Sequence, residues 1–157
     1  MKIQRTLLLL AILGWVGALD GCGVGQPPFV IVQVCLRNAG DLAAFTREMQ
    51  LIAQSQGKQF IDRSAATQEE INALRQPTEG ARTKPVVNMG IELGDGIGLT
   101  AGNLGLPEYQ VAVGFSEGSR PVDARKFADA VMKRLAERWR VELVPAGTGA
   151  KGMENCN

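Results

Sequence analysis

The chain alternates short β-branched, apolar runs with longer stretches of helical periodicity. Phe29–Leu36 (Phe-Val-Ile-Val-Gln-Val-Cys-Leu) is nearly continuously apolar and reads as a central strand covered on both faces. Leu42, Phe45, Met49 and Ile52 then recur at steps of three and four, so 42–56 is predicted as an amphipathic helix, capped by Asp41 and stopped at Gly57. Lys58–Asp62 is a short strand candidate. Thr67 and Glu70 have the spacing of a capping box, which predicts a short helix to about Arg75 with Ile71 and Leu74 facing inward. Two prolines and Gly80 make 76–85 a loop.

The second half repeats the alternation. Val87, Met89, Ile91 and Leu93 share one face of a half-buried strand that ends at the turn Gly94-Asp95-Gly96. The glycines at 98, 102 and 105 suggest an edge strand or mobile loop over 97–106. Tyr109, Val111, Val113 and Phe115 alternate on the next strand. Asp123 is the expected cap of a helix in which Phe127, Val131, Leu135 and Trp139 recur every four residues, and 140–145 reads as a last strand. The order strand, long helix, short strand, short helix, three-strand meander, long helix, strand predicts an α+β fold. The expected architecture is a mainly antiparallel sheet with two long helices on one face, a ferredoxin-like-related sandwich with an extra hairpin. The two strand–helix passages hint at a weak pseudo-symmetry, with no usable internal repeat.

The segment ahead of this domain has a different character. Lys2 and Arg5 precede Leu7–Leu13, an apolar run extended by Trp15, Val16, Ala18 and Leu19. It is shorter than the roughly 20 residues of a membrane-spanning helix and has the length of a signal-peptide core. Leu19-Asp20-Gly21-Cys22 follows. With Leu19, Gly21 and Cys22 at the −3, −1 and +1 positions, the segment resembles the leader of the bacterial lipoprotein class, although Asp20 stands where that class usually has a small or aliphatic residue. The resemblance covers only the leader. It implies removal of 1–21, acylation of Cys22 and, because Gly23 is not the aspartate that signals inner-membrane retention, attachment at the periplasmic face of the outer membrane. An ordinary secretory peptide cut elsewhere and an uncleaved anchor helix are the competing readings. Residues 22–28 then form a tether, 29–146 a single α+β domain and 147–157 a glycine-rich tail.

Composition narrows the partners. Removing 1–21 leaves 136 residues, enough for one cored domain, with 15 basic and 15 acidic side chains once Lys2, Arg5 and Asp20 are gone. A net charge of zero gathers neither nucleic acid nor anionic lipid, and an aromatic content of 5% offers few stacking platforms. With Cys22 acylated, Cys35 and Cys156 remain as an even pair in an oxidising compartment and are expected to form a disulfide that staples the tail. The alternative is a buried free Cys35 and a stray Cys156. The lack of a C-x-x-C spacing argues against redox catalysis.

The chain contains no histidine, which removes histidine-based triads and metal sites. Glu92 and Asp95 flank Leu93-Gly94, a carboxylate pair for cation binding or acid/base work if the turn folds them together, against a reading as strand and turn residues. Gly94-Asp95-Gly96-Ile97-Gly98 lacks a phosphate-loop pattern and a following helix. Asp62-Arg63-Ser64 reads as surface charge at a strand end. Arg125, Lys126, Lys133, Arg134 and Arg138, interrupted by Asp129 and Glu137, read as a solvated helix face rather than a lipid-binding one. The remaining expectation is a non-catalytic envelope protein without cofactor. It would bind a protein or cell-wall partner, as an immunity or inhibitor protein or an accessory assembly subunit, through a surface including Asp95, Asn103 and Tyr109. A carboxylate-dependent envelope hydrolase and a small-ligand carrier are the alternatives.

Overall fold

A computed structural model describes residues 27–74 and 84–156. The expectations for 1–26, including Cys22, and for most of the 76–85 loop lie outside the described residues. The elements are β1 (Val30–Cys35), α1 (Ala39–Ser55), β2 (Phe60–Asp62), α2 (Ser64–Leu74), β3 (Asn88–Gly94), β4 (Ile97–Gly102), β5 (Gln110–Glu117), α3 (Pro121–Ala136) and β6 (Arg140–Leu143). The fold is α+β. Its six strands form an open sheet in the order β2-β3-β4-β5-β1-β6, with every neighbouring pair antiparallel. β1 therefore lies between β5 and β6, which α3 connects, while α1 carries the chain from β1 to the far edge at β2.

Alternation along the strands sorts side chains to two faces. Val32 and Val34 of β1, Met89 and Ile91 of β3, Leu99 of β4 and Val111, Val113 and Phe115 of β5 enter one core. Phe45, Met49 and Ile52 of α1 and Phe127, Val131 and Leu135 of α3 close that core. Burying each such large side chain contributes about 1.5–3 kcal/mol. The opposite face carries Gly90, Gly98, Thr100, Ala112 and Gly114. No helix residue from α2 is buried. Phe45 and Trp139 meet edge to face, as do Phe115 and Phe127.

Several local expectations are corrected. Asn38, not Asp41, caps α1: its Oδ1 accepts the Asp41 N–H at 3.0 Å, while the Asp41 carboxylate holds Arg37. α2 starts ahead of the capping-box spacing because Asp62 Oδ1 already accepts the Ser64 N–H at 2.9 Å. Thr67 thus lies inside the helix, and Leu74, expected inward, is 87% exposed. α3 starts at Pro121, whose fixed φ and missing N–H suit a first helical position, and Asp123 falls in the first turn. β4 is not an edge strand but sits between β3 and β5. Its glycine serves close approach: a Cβ at Gly98 would lie 2.5 Å from the Ile91 carbonyl oxygen.

Candidate functional site

Two features occupy the face of the sheet opposite α1 and α3. The first is an open groove of about 630 Å³ beside the β3–β4 hairpin, floored by Gly98, Thr100, Gly114 and Ser116 and bordered by Glu92 and Asp95. The floor is shallow because these positions carry little or no side chain. Asp95 and Gly96 form the hairpin turn with φ of 55° and 78°, the left-handed pair that an Asp-Gly turn adopts. Pro28 packs over Gly114 at one side of the groove, where an added Cβ would come within 3.2 Å of the proline ring.

The structure brings Glu92 and Asp95 to the same groove but commits Asp95 elsewhere. Its carboxylate meets Arg120 Nε at 3.1 Å, and Arg120 also reaches Asp123 at 3.2 Å. The Asp95 carbonyl accepts the Ser119 N–H at 2.9 Å. These contacts join the hairpin tip to the start of α3, and the Arg120 guanidinium partly neutralises the carboxylate that an acid/base pair would use. Among the described residues no three His, Cys, Asp or Glu side chains come close enough to hold a metal ion.

Asn103 and Tyr109 lie at the other end of β4 and the start of β5. Asn103 is buried, and its amide ties down the segment that leads into β3: Oδ1 accepts the Val87 N–H and Nδ2 donates to the Pro85 carbonyl, both at 2.8 Å. Nearby, burial lowers the Lys84 ammonium pKa below its ordinary value, and Glu108 opposes the shift. Tyr109 has a φ of 62°, packs against the core and offers its carbonyl to the Leu36 N–H at 2.8 Å. Asp95 therefore borders the groove, whereas the Asn103 amide works as an internal brace.

The second feature is a groove across β1 and β5 that the chain fills with its own residues 151–156. A disulfide joins Cys35 to Cys156, with Cα atoms 5.4 Å apart. Gln33 and Gln110, both buried, hold the segment by its backbone. Gln110 Oε1 accepts the Met153 N–H at 2.7 Å while its Nε2 donates to the Met153 carbonyl at 3.1 Å. Gln33 treats Lys151 in the same way, accepting its N–H at 3.3 Å and donating to its carbonyl. Met153 packs with the disulfide in a small cluster of its own. Arg140 on β6 adds a hydrogen bond to the Glu154 carbonyl at 2.9 Å.

Sequence reasoning located the staple but missed the paired amides. The sign was a glutamine in the middle of an otherwise apolar strand, since a buried amide needs partners for both its donor and its acceptor. The chain matches no family model, no curated protein and no solved structure.

Proposed function

We propose that this protein is a lipid-anchored component of the bacterial envelope that binds a protein or cell-wall partner and does not itself catalyse a reaction. The observation that carries the reading is Leu19-Asp20-Gly21-Cys22 behind a basic, apolar leader. In this reading the acylated Cys22 holds the domain at the periplasmic face of the outer membrane. The Cys35–Cys156 disulfide agrees with an oxidising compartment. Within the sheet, the run β6-β1-β5-β4 supports a ferredoxin-like relation, with β2, α2 and β3 inserted between α1 and β4. α1 and α3, of 17 and 16 residues, would be the two long helices of that arrangement, on one face.

The partner surface lies on the face opposite α1 and α3, between the β3–β4 hairpin and Pro28. The floor is low there because Gly98 and Gly114 carry no side chain, and Glu92 supplies a charge at the border. An immunity or inhibitor role and an accessory role in an envelope assembly both fit such a surface.

The anchor is tested by growing cells that express the full chain with a labelled fatty acid. The wild type is expected to incorporate label and sediment with membranes, and Cys22→Ser to do neither. Unlabelled wild-type protein overturns the anchor. Affinity capture from envelopes, repeated with Thr100→Arg to fill the groove from an exposed position of its floor, tests the surface. A partner retained by the wild type and lost from the variant supports it, and equal recovery by both overturns it.

A further inference from the structure

We propose that residues 151–156 are an exchangeable strap, and that the groove they fill accepts the same segment from a second copy of this chain. Recognition in the groove is almost wholly of main chain. Gln33 and Gln110 each bind the N–H and the carbonyl of a single residue, 151 and 153, two apart along the segment. What selects the occupant is the buried Met153 side chain and a cysteine three residues further on, opposite Cys35. A second copy brings that combination unchanged, so every contact of the strap can be remade between molecules.

The connection to the strap favours exchange. Val144 is still held to the sheet, its N–H donating to the Ile31 carbonyl at 2.9 Å, but beyond it residues 145–150 include Gly147 and Gly149, beside which the structure is open, and the hydrogen bonds from Thr148 run only to Pro145 in the same turn. Fully extended, the eight steps from Leu143 to Lys151 reach about 26 Å. β6, which feeds this connection, is at the end of the sheet and is four residues long, with Leu143 exposed. Adjoining strands lie about 4.8 Å apart, so the β6 edges of two copies can approach well within the reach of the connection.

The covalent step is thiol–disulfide exchange catalysed by a small thiol. A thiolate attacks the Cys156 sulfur, forming a mixed disulfide and releasing the Cys35 thiolate. The Cys35 thiolate of one copy then attacks the Cys156 mixed disulfide of the other, forming the intermolecular bond and expelling the small thiolate. The reciprocal step completes a dimer with two exchanged straps. Two intramolecular disulfides become two intermolecular ones, with no net oxidation and the thiol regenerated. The inference stands apart from the lipid anchor, because every group it uses lies within 33–156.

The test uses the full chain in detergent, prepared in natural-abundance and nitrogen-15 forms. The two are mixed at a series of protein concentrations in a glutathione redox buffer, quenched with acid and digested without reduction. Mass spectrometry then reads the Cys35–Cys156 peptide pairs. Pairs joining light to heavy chains are expected to rise with concentration towards about half of the total, as for a symmetric exchanged dimer, with a dimer appearing by size exclusion. Replacing both amides (Gln33→Leu with Gln110→Leu) removes the same contacts from the closed and the exchanged forms, so it is expected to leave the final share of mixed pairs nearly unchanged while speeding the approach to it at least about tenfold, since those main-chain anchors oppose release of the strap. Pairs that remain unmixed at every concentration overturn the proposal. So do a disulfide that glutathione never opens, dimers linked only through Cys22, and mixing that is no faster in the glutamine variant.

Discussion

The Phe45 and Trp139 rings meet edge to face, 5.8 Å between centroids and 69° between planes, and so join the middle of α1 to the turn ahead of β6. Trp139 lies beyond the end of α3 yet stays buried, and Arg138 stacks over its indole at 5.1 Å. Removing this ring leaves a void at the junction of both helices. Trp139→Ala is expected to cost about 3–5 kcal/mol in urea unfolding, and Trp139→Phe much less. Equal losses for the two variants would show that the indole N–H, not the packing, matters there.

Glu48 presents an asymmetric ion pair. Its side chain is 6% exposed and accepts hydrogen bonds from Arg134 and Arg138, which are 39% and 50% exposed. Removing the carboxylate frees two guanidinium groups that water can reach, whereas removing both arginines strands a buried charge. Glu48→Gln is expected to cost about 1 kcal/mol, and Arg134→Met with Arg138→Met about 3 kcal/mol. Chemical denaturation of the two variants side by side checks the order.

Two glycines with similar backbone angles differ in what surrounds them. Gly118 has a φ of 59°, and a Cβ there would lie 2.2 Å from the Asp95 carbonyl oxygen. Gly147 has a φ of 76° and open space around it. Gly147→Ala is expected to cost about 1 kcal/mol for conformation alone. Gly118→Ala must also push the hairpin tip away from α3, and is expected to cost at least about 2 kcal/mol more, with faster amide exchange at Ser119. Equal thermal midpoints for the two variants would contradict the contact.

Asp41 gives a pH signature. The hydrogen bond from the Arg37 side chain, and then that from the Arg37 backbone N–H, hold its carboxyl pKa below the ordinary value, burial opposes the shift, and the Arg37 charge and the Trp139 indole N–H add to it. A carboxyl whose folded pKa is depressed stabilises the fold above the unfolded value near 3.9, and the contribution is lost as pH falls through the folded value. Carbon-13 titration is expected to show Asp41 ionising below the ordinary range in the wild type and moving up towards it in Arg37→Ala. An unchanged titration in the variant would remove the Arg37 side chain as the cause and leave the backbone N–H.

The strands and long helices were legible because periodicity reports which side chains enter a core. Val111, Val113 and Phe115 in β5, and Phe127, Val131 and Leu135 in α3, were assigned to their buried faces by spacing alone. Helix starts were less legible. Asn38, Asp41, Asp62, Thr67 and Asp123 all have capping chemistry, and the choice among them depends on where the preceding strand releases the chain. The position of β4 was hidden because its glycines signal either flexibility or close packing, and only the Ile91 carbonyl beside Gly98 decides between them. The Gln33 and Gln110 amides were illegible for another reason: their partners lie 118 and 43 residues away in sequence.

Pro28 rests on Gly114, and Cys156 is bonded to Cys35, so both ends of the described chain leave from the side of the sheet opposite α1 and α3. A bead or surface coupled close to Pro28 would shade the groove beside the hairpin and present the two long helices to solution. Immobilised protein would then report on the helices while underestimating whatever the sheet retains, so coupling through the outward surface of α1 or α3 is the orientation that exposes the groove.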